Sequence, residues 1–319
     1  MKQYNSLFAH DIRGLLEFRL SVGMKNVTHE CYLKHFDDYC CGNRPTATDL
    51  TKELVFSWLD FEASERGNRT NSRYSVIRSF GQYRNALGIP SYEVPEEMIP
   101  RKSFPRPLIL NDDEMTRLYR ASDTLSDSRY HPWIVRMCPV LFRLIYTCGL
   151  RPGEGIRLRK SQIDEATGTI KLVETKHGKE RQVAMSEEML RVYREYAAQR
   201  DAVMPDAEFA FPDETGGKFG HGRAARVFRS CWLRANPGKT RSELPAIKLY
   251  DLRHRFASAV LQKWLDEKQP IMAKLPYLRA YMGHKAISST LYYVHILPKN
   301  LFETEGIDWS EVNKAIPED

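Results

Sequence analysis

Apolar residues recur at helical spacing over most of the chain, and this pattern alone predicts a mainly α-helical protein. Four helices are expected between residues 7 and 88. Ile12, Leu15, Leu16 and Phe18 mark the first, and Thr28 caps a second that carries Tyr32, Phe36 and Tyr39. Val55, Trp58 and Leu59 line a third; Tyr74, Ile77, Phe80, Tyr83 and Leu87 line a fourth, which Gly88 and Pro90 stop. Residues 1–90 thus read as a small helical domain. Prolines 95, 100, 105 and 107 crowd the next stretch, so residues 91–107 read as an extended, semi-rigid linker.

The pattern resumes as a second domain, residues 108–319. Asn111 with Glu114 three residues later forms a capping-box signature ahead of Met115, Leu118 and Tyr119. Residues 133–148 are strongly apolar; Pro139 starts or kinks their second half, and Gly149 ends them. The helical period then breaks at residues 169–186, TIKLVETKHGKERQVAMS, where two β-prone runs flank His177-Gly178-Lys179. A β-hairpin is expected there, with Lys176 at the end of its first strand. Helical spacing returns at residues 187–200 and 223–235, and again from Tyr250 through Phe256, Val260, Leu261 and Trp264. The stretch 282–295, MGHKAISSTLYYVH, joins a glycine-histidine pair to a short helix-compatible run, and Asp308, Trp309 and Val312 form another in the tail.

Composition narrows the function classes. The 319 residues are 42% hydrophobic, enough for packed cores rather than disorder. Lysine and arginine number 48 against 41 acidic residues, a net +7, which suits a polyanionic partner. No run approaches the ~20 apolar residues of a membrane span, and the first 20 residues lack a signal-peptide core, so a cytoplasmic, nucleoid-associated protein is expected. The six cysteines show no C-x-x-C pair or zinc-finger spacing and read as reduced thiols, with no metal and no cofactor expected.

Four segments carry chemistry. In TCGLRPGE, residues 147–154, a helix ends at glycine and Arg151 follows at a tight turn where its guanidinium can be aimed. In KLYDLRHRF, residues 248–256, Arg253 lies one helical turn after Tyr250 on the same face. Lys176 supplies a cation on the hairpin, and His284 precedes Tyr293 by nine positions in the last segment.

In this order and spacing the segments resemble the boxes of the tyrosine recombinases of the phage-integrase family. The family's T-G-L-R-x-x-E box is similar to TCGLRPGE, its hairpin lysine to Lys176, its H-x-x-R-H box to Tyr250-x-x-Arg253-His254, and its L-G-H box with the later tyrosine to Met282-Gly283-His284 and Tyr293. The resemblance implies an N-terminal helical, SAM-like domain that clamps DNA and a mostly helical catalytic domain with a small β-hairpin sheet. It also implies a metal-independent and ATP-independent enzyme that cuts and rejoins DNA through a 3′-phosphotyrosine link.

The implied roles make physical sense. Attack on a phosphodiester builds charge on the non-bridging oxygens, which two permanently charged, fork-shaped guanidiniums, Arg151 and Arg253, can meet. Lys176 would protonate the 5′ leaving oxygen, His284 would donate a hydrogen bond to the phosphate, and Tyr293 would attack. Glu154 would orient Arg151, while His254 and His295 would support the site. The chain departs from the family pattern at Tyr250, where histidine is usual; a neutral phenol can donate to a phosphoryl oxygen but is a poor base, so whether Tyr250 is base or donor stays open. Tyr292 is the decoy for Tyr293, and the family spacing selects the latter.

The implied partners are duplex DNA with inverted-repeat core sites, further copies of the chain in a DNA-bound tetramer coupled through the tail, and accessory directionality factors. Arg73, Arg78 and Arg84 on the fourth helix, and Arg226 and Arg229 farther on, are expected to meet the DNA backbone. No domain precedes the first helix, so no separate arm-site module is expected. A type IB topoisomerase-like enzyme or hairpin-end resolvase with the same chemistry, or a catalytically silent DNA-binding relative, are the competing readings.

Overall fold

The computed structural model describes residues 2–66, 70–100, 107–125, 130–173, 180–284 and 286–296, and divides into two compact units, Met1–Pro105 and Arg106–Asp319. The first unit holds helices α1 (Ala9–Ser21), α2 (Val27–Asn43), α3 (Lys52–Arg66) and α4 (Thr70–Ala86). Their apolar stripes converge on Phe8, Ile12, Phe36, Trp58 and Phe80, with Phe36 set edge-on to Trp58 at 5.5 Å. Phe18 departs from expectation and is exposed, whereas Ile12, Leu15 and Leu16 are buried. The cap of α2 is Asn26 rather than Thr28, because the Asn26 amide donates to Leu16 O at 2.7 Å and ties the start of α2 to α1.

Two expectations for this unit need correction. Residues 91–100 do not run free: Tyr92 N donates to Leu50 O, Val94 is fully buried, and a short 3-10 turn follows at Glu96–Met98. The prolines shape a strap on the helical unit, since an extended segment can still bury alternate side chains. The arginines of α4 also point inward. Arg73 is 2% exposed and pairs with Glu62 at 3.6 Å; Arg84 is 4% exposed, pairs with Asp11 at 3.3 Å, donates to Thr48 O and lies over the Phe8 ring. Arg78 donates to Val94 O and pairs with Glu93 at 2.8 Å. These guanidiniums hold the unit together: Arg73 and Arg84 are buried and do not face a DNA backbone, while the half-buried Arg78 is engaged by Val94 O and Glu93.

The second unit begins with α5 (Asp112–Asp123), whose Asn111–Glu114 capping box forms as predicted, and α6 (Pro132–Thr147). A short α7 (Pro152–Ile156) leads to the antiparallel sheet β1 (Ile163–Asp164), β2 (Thr169–Leu172), β3 (Arg181–Ala184), in that order. Pairing of Thr169 with Ala184 and Leu172 with Arg181 sets the hairpin register; its tip, with Lys176, lies outside the described residues. Helices α8 (Glu187–Val203), α9 (His221–Arg234), α10 (Asp251–Asp266), α11 (Ile271–Met282) and α12 (Ser288–Ile296) complete the unit.

Helix α6 is apolar on nearly every side and is packed by α5, α8, α9 and α10, the environment such a sequence requires. Helices α10, α11 and α12 form a smaller apolar cluster through Leu261, Leu275, Leu278, Leu291 and Val294. The sequence pattern does not reveal α11: Pro276 lies inside it and Pro270 caps it, so its residues read as interrupted. Its end meets β3 and becomes the centre of the site.

Removing the Arg84 guanidinium leaves Asp11 and Thr48 O without their partner inside the first unit. Arg84→Ala is expected to lower stability by about 2 kcal/mol or more. The measurement is a urea melt, read as a lower midpoint with unchanged slope; an unchanged midpoint would return Arg84 to a surface role.

Candidate active site

The site is built on the C-terminal end of α11. Gly283 adopts the left-handed conformation there (φ 63°, ψ 44°), so the chain turns back with Gly283 N bonded to Ala280 O and His284 N to Arg279 O. That turn leaves three successive carbonyls, those of Tyr281, Met282 and Gly283, facing away from the helix ladder. Three arginines from separate parts of the chain take one each. Arg181 Nε donates to Tyr281 O at 2.9 Å, Arg253 Nη2 to Met282 O at 2.6 Å, and Arg151 Nη2 to Gly283 O at 2.6 Å. The negative end of a helix macrodipole favours this gathering of cations. A side chain at Gly283 would oppose it twice, through backbone strain and through a Cβ only 3.0 Å from Arg181 Nη1.

Each guanidinium is locked further. Arg253, fully buried on α10, also donates from Nη1 to Gly149 O at 2.6 Å, just beyond the end of α6. Arg151 caps α7, and its backbone N and Nη1 both bond to the Glu154 carboxylate. Arg181 reaches the same carboxylate with two bonds, at 3.0 and 2.7 Å. Burial would raise the Glu154 pKa, but the bonds from Arg181 and Arg151 outweigh it and hold the carboxyl down at about 2. Glu154 thus bonds both Arg151 and Arg181. Among the described residues of this cluster, three guanidiniums and one carboxylate leave an excess of two positive charges.

Two imidazoles and a phenol sit beside these cations. His284 Nε2 lies 3.1 Å from Arg253 Nη2, and its Nδ1 lies 2.9 Å from Thr290 Oγ1. Facing a cationic donor, Nε2 must accept, so the proton is on Nδ1 and goes to Thr290. Burial, reinforced by Arg253, Arg151 and Arg181, pushes the His284 pKa down to about 3 and keeps the ring neutral. Its outward nitrogen accepts from Arg253 in this arrangement.

Tyr293 on α12 is 3% exposed, with its ring stacked on His284 at 5.9 Å and its hydroxyl 3.1 Å from His254 Nδ1. Burial raises the phenol well above its usual pKa, while the Arg253 guanidinium works in the opposite direction. Tyr292 is half-buried rather than core, so the two tyrosines differ in what they touch. Tyr250 caps α10, is 36% exposed and packs its ring against His254 at 4.9 Å.

The described residues thus bring together Arg151, Glu154, Arg253, His254, His284 and Tyr293, with Tyr250 at the edge. Lys176, the His295 side chain and the tail with Trp309 lie outside the described residues. Arg226 and Arg229 are exposed on α9. Two contributors escaped the sequence reading, Arg181 and Thr290. Arg181 opens β3 in a run of mixed charge, and only its proximity to Glu154 and Tyr281 singles it out.

Residues 109–300 match the model of the phage integrase family. The chain belongs to the phage integrase family of tyrosine recombinases. Among relatives of this recombinase, y4rB of Sinorhizobium fredii, an integrase/recombinase by name, is 27% identical over 93% of this chain and 96% of its own. A second such protein from that organism, y4rE, is 31% identical over 74% and 76%, and the tyrosine recombinase XerD of Rhizobium meliloti is 26% identical over 80% and 79%. The fold is similar to that of the Tn1549 transposon integrase in complex with transposon right end DNA (TM-score 0.63, 12% identity, 95% of this chain and 98% of that one). It is also similar to a lambda integrase tetramer bound to a Holliday junction (TM-score 0.62, 15% identity, 89% and 76%).

Glu154→Gln would strand two partly buried guanidiniums, a change expected to cost roughly 2–3 kcal/mol. Because the folded carboxyl titrates below its unfolded value, its contribution is full above about pH 4.5 and fades as pH falls toward about 2. Denaturant melts from pH 7 downward should show this acid-dependent loss in the parent and not in Glu154→Gln.

Proposed function

We propose that this recombinase cuts and rejoins duplex DNA at specific sites through a covalent 3′-phosphotyrosine link made by Tyr293. The observation that carries this reading is the meeting of a hydrogen-bonded phenol with a site holding an excess of two positive charges. A backbone phosphate is the group such a site suits, and the charge that grows on its non-bridging oxygens is what fixed guanidiniums stabilise best. Arg151 and Arg253 fill that role, with Glu154 and Arg181 holding Arg151 at the end of α11. Fixed cations of this kind can meet the phosphoryl charge without a metal ion. Lys176, on the hairpin, is the proposed acid for the 5′ leaving oxygen.

The phosphotyrosine ester retains the energy of the bond it replaces, so a second DNA end can reverse it without ATP. The substrate would be duplex DNA with inverted-repeat core sites bound by several copies of the chain, as the lambda integrase tetramer on a Holliday junction illustrates for a relative in fold. Arg226 and Arg229, exposed on α9, are suited to backbone phosphates, each neutralised phosphate steepening the salt dependence by about 0.9.

The test is a duplex selected from a random-sequence library by covalent capture on the parent protein, then nicked beside the cut so that the adduct is trapped. Tyr293→Phe should bind this duplex and form no adduct, whereas Tyr292→Phe should still form one; the reverse result would transfer the nucleophile to Tyr292. Arg151→Ala should slow adduct formation by on the order of 10²-fold or more. Lys176→Ala should be slow on ordinary DNA and recover when sulfur replaces the 5′ leaving oxygen, since a thiolate leaves without a proton. Absence of recovery would assign the acid elsewhere.

A further inference from the structure

We infer that His254 is the general base of this site, taking the proton from Tyr293 through Nδ1 as the tyrosine oxygen attacks phosphorus. The inference rests on the phosphotyrosine reading and adds the one proton transfer that reading leaves unassigned. Three side chains are placed to compete for it. Both nitrogens of His284 are engaged, Nε2 by Arg253 and Nδ1 by Thr290. Tyr250 contacts the His254 ring and offers only a phenol, no stronger a base than the group it would deprotonate. His254 Nδ1 lies 3.1 Å from Tyr293 Oη, within direct transfer distance.

The placement follows from helix geometry. His254 is displaced by about 100° from Arg253, yet it lies four residues after Tyr250 and so shares the face of Tyr250. The position that usually carries histidine holds Tyr250 in this chain, and the imidazole one turn farther along that face reaches the nucleophile. Tyr293 is thus held between two rings, with His284 stacked on its face and His254 at its hydroxyl.

The proton balance closes. In cleavage the Tyr293 O–H bond breaks and its proton passes to Nδ1, an O–P bond forms, the bond from phosphorus to the 5′ oxygen breaks, and that oxygen takes a proton from the acid, Lys176 in our reading. In rejoining, the attacking 5′ hydroxyl gives its proton back to the neutral Lys176 amine, its oxygen bonds phosphorus, the bond from phosphorus to the tyrosine oxygen breaks, and the His254 imidazolium returns its proton to that departing oxygen. Burial, aided by Arg253 and Lys248, holds the His254 pKa down at about 4, so its acceptor form is present through the neutral range. With the phenol raised, the proton does not move in the resting site. It moves as negative charge passes from the tyrosine oxygen to phosphoryl oxygens met by the arginines.

His254→Asn tests the assignment, because an Asn oxygen can accept the Tyr293 hydrogen bond but cannot carry away the proton. The full-length chain and the captured, nicked duplex serve as reagents. The charged and titratable groups facing His254 are Tyr250 and Arg253 on α10, Lys248 before it, Tyr293 on α12 and His284 on the turn ahead of α12. The variant should bind DNA like the parent and form adduct roughly 10²–10⁴-fold more slowly at pH 7. Between pH 6 and 9 the parent rate should stay level, while the variant rate climbs about tenfold per unit, as hydroxide replaces the missing base. Replacing Tyr293 by 2,3,5-trifluorotyrosine, a more acidic phenol, should restore most of the variant's rate, a recovery that a misfolded site would not show. A His254→Asn protein that matches the parent, or whose deficit is pH-independent and untouched by the fluorinated phenol, overturns the assignment. Failure of the parent itself to form an adduct overturns the phosphotyrosine reading with it.

Discussion

Three consecutive carbonyls at the end of α11 determine where the cations of this protein go. A helix end leaves acceptors without intrahelical partners, and turning the chain at Gly283 presents the carbonyls of Tyr281, Met282 and Gly283 as a row. Arg181 from the sheet, Arg253 from α10 and Arg151 from the turn after α6 each occupy one of them. Segments separated by up to 132 positions are thereby fixed to a common reference. The guanidinium fork suits this task better than an ammonium would, because its donors are rigidly spaced: Arg253 spans Gly149 O and Met282 O and still directs a donor at His284.

Burying cations is costly unless they are paired, and the two units of this protein solve that problem differently. In the first unit Arg73 and Arg84 face Glu62 and Asp11, so that charge is locally balanced and the result is cohesion. In the second, Glu154 is shared between Arg151 and Arg181, while Arg253 rests on two carbonyl dipoles and the neutral His284 ring. The resulting surplus of positive charge is unfavourable in isolation, and an anion relieves it. Burial keeps both imidazoles neutral, and the surplus reinforces it, since a protonated ring beside these guanidiniums would add to the repulsion. The same residue type is therefore charge-balanced in one unit and left with surplus charge in the other, and the number of carboxylates within reach makes the difference.

What could be read from the sequence was what depends on local spacing. The four boxes, the capping box at Asn111 and the hairpin are short-range patterns, and the apolar period located most helices. What could not be read depends on contacts across the chain. Arg73 and Arg84 read as cations among aromatics, a pattern shared by a DNA-facing helix and a buried ion pair, and only the acidic residues across the fold distinguish them. Arg181 has no local mark, since its partners lie 27 and 100 residues away. Helix α11 was hidden by its own Pro276, tolerated because α10 and α12 pack around it. The contact of His254 with Tyr293 joins residues 39 positions apart, so no local spacing marks it.

The environment of Tyr293 bears on how a phenol would serve as nucleophile in the proposed reaction. Left buried, it is a weaker acid than in water, which protects the resting protein from misplaced reactivity. The same burial places its oxygen on a neutral imidazole and its ring on a second one, with the permanently charged Arg253 beside them. When a phosphate enters such a site, the surplus positive charge is partly satisfied by the phosphate itself, and what remains favours the extra negative charge of a five-coordinate phosphorus. On the proposed chemistry, the phenol need not be acidic beforehand, because the electrophile lowers the cost of losing its proton at the moment of attack. Reactivity is thereby tied to occupancy of the site by the phosphate, a coupling that arises from the fixed positions of the arginines around the end of α11.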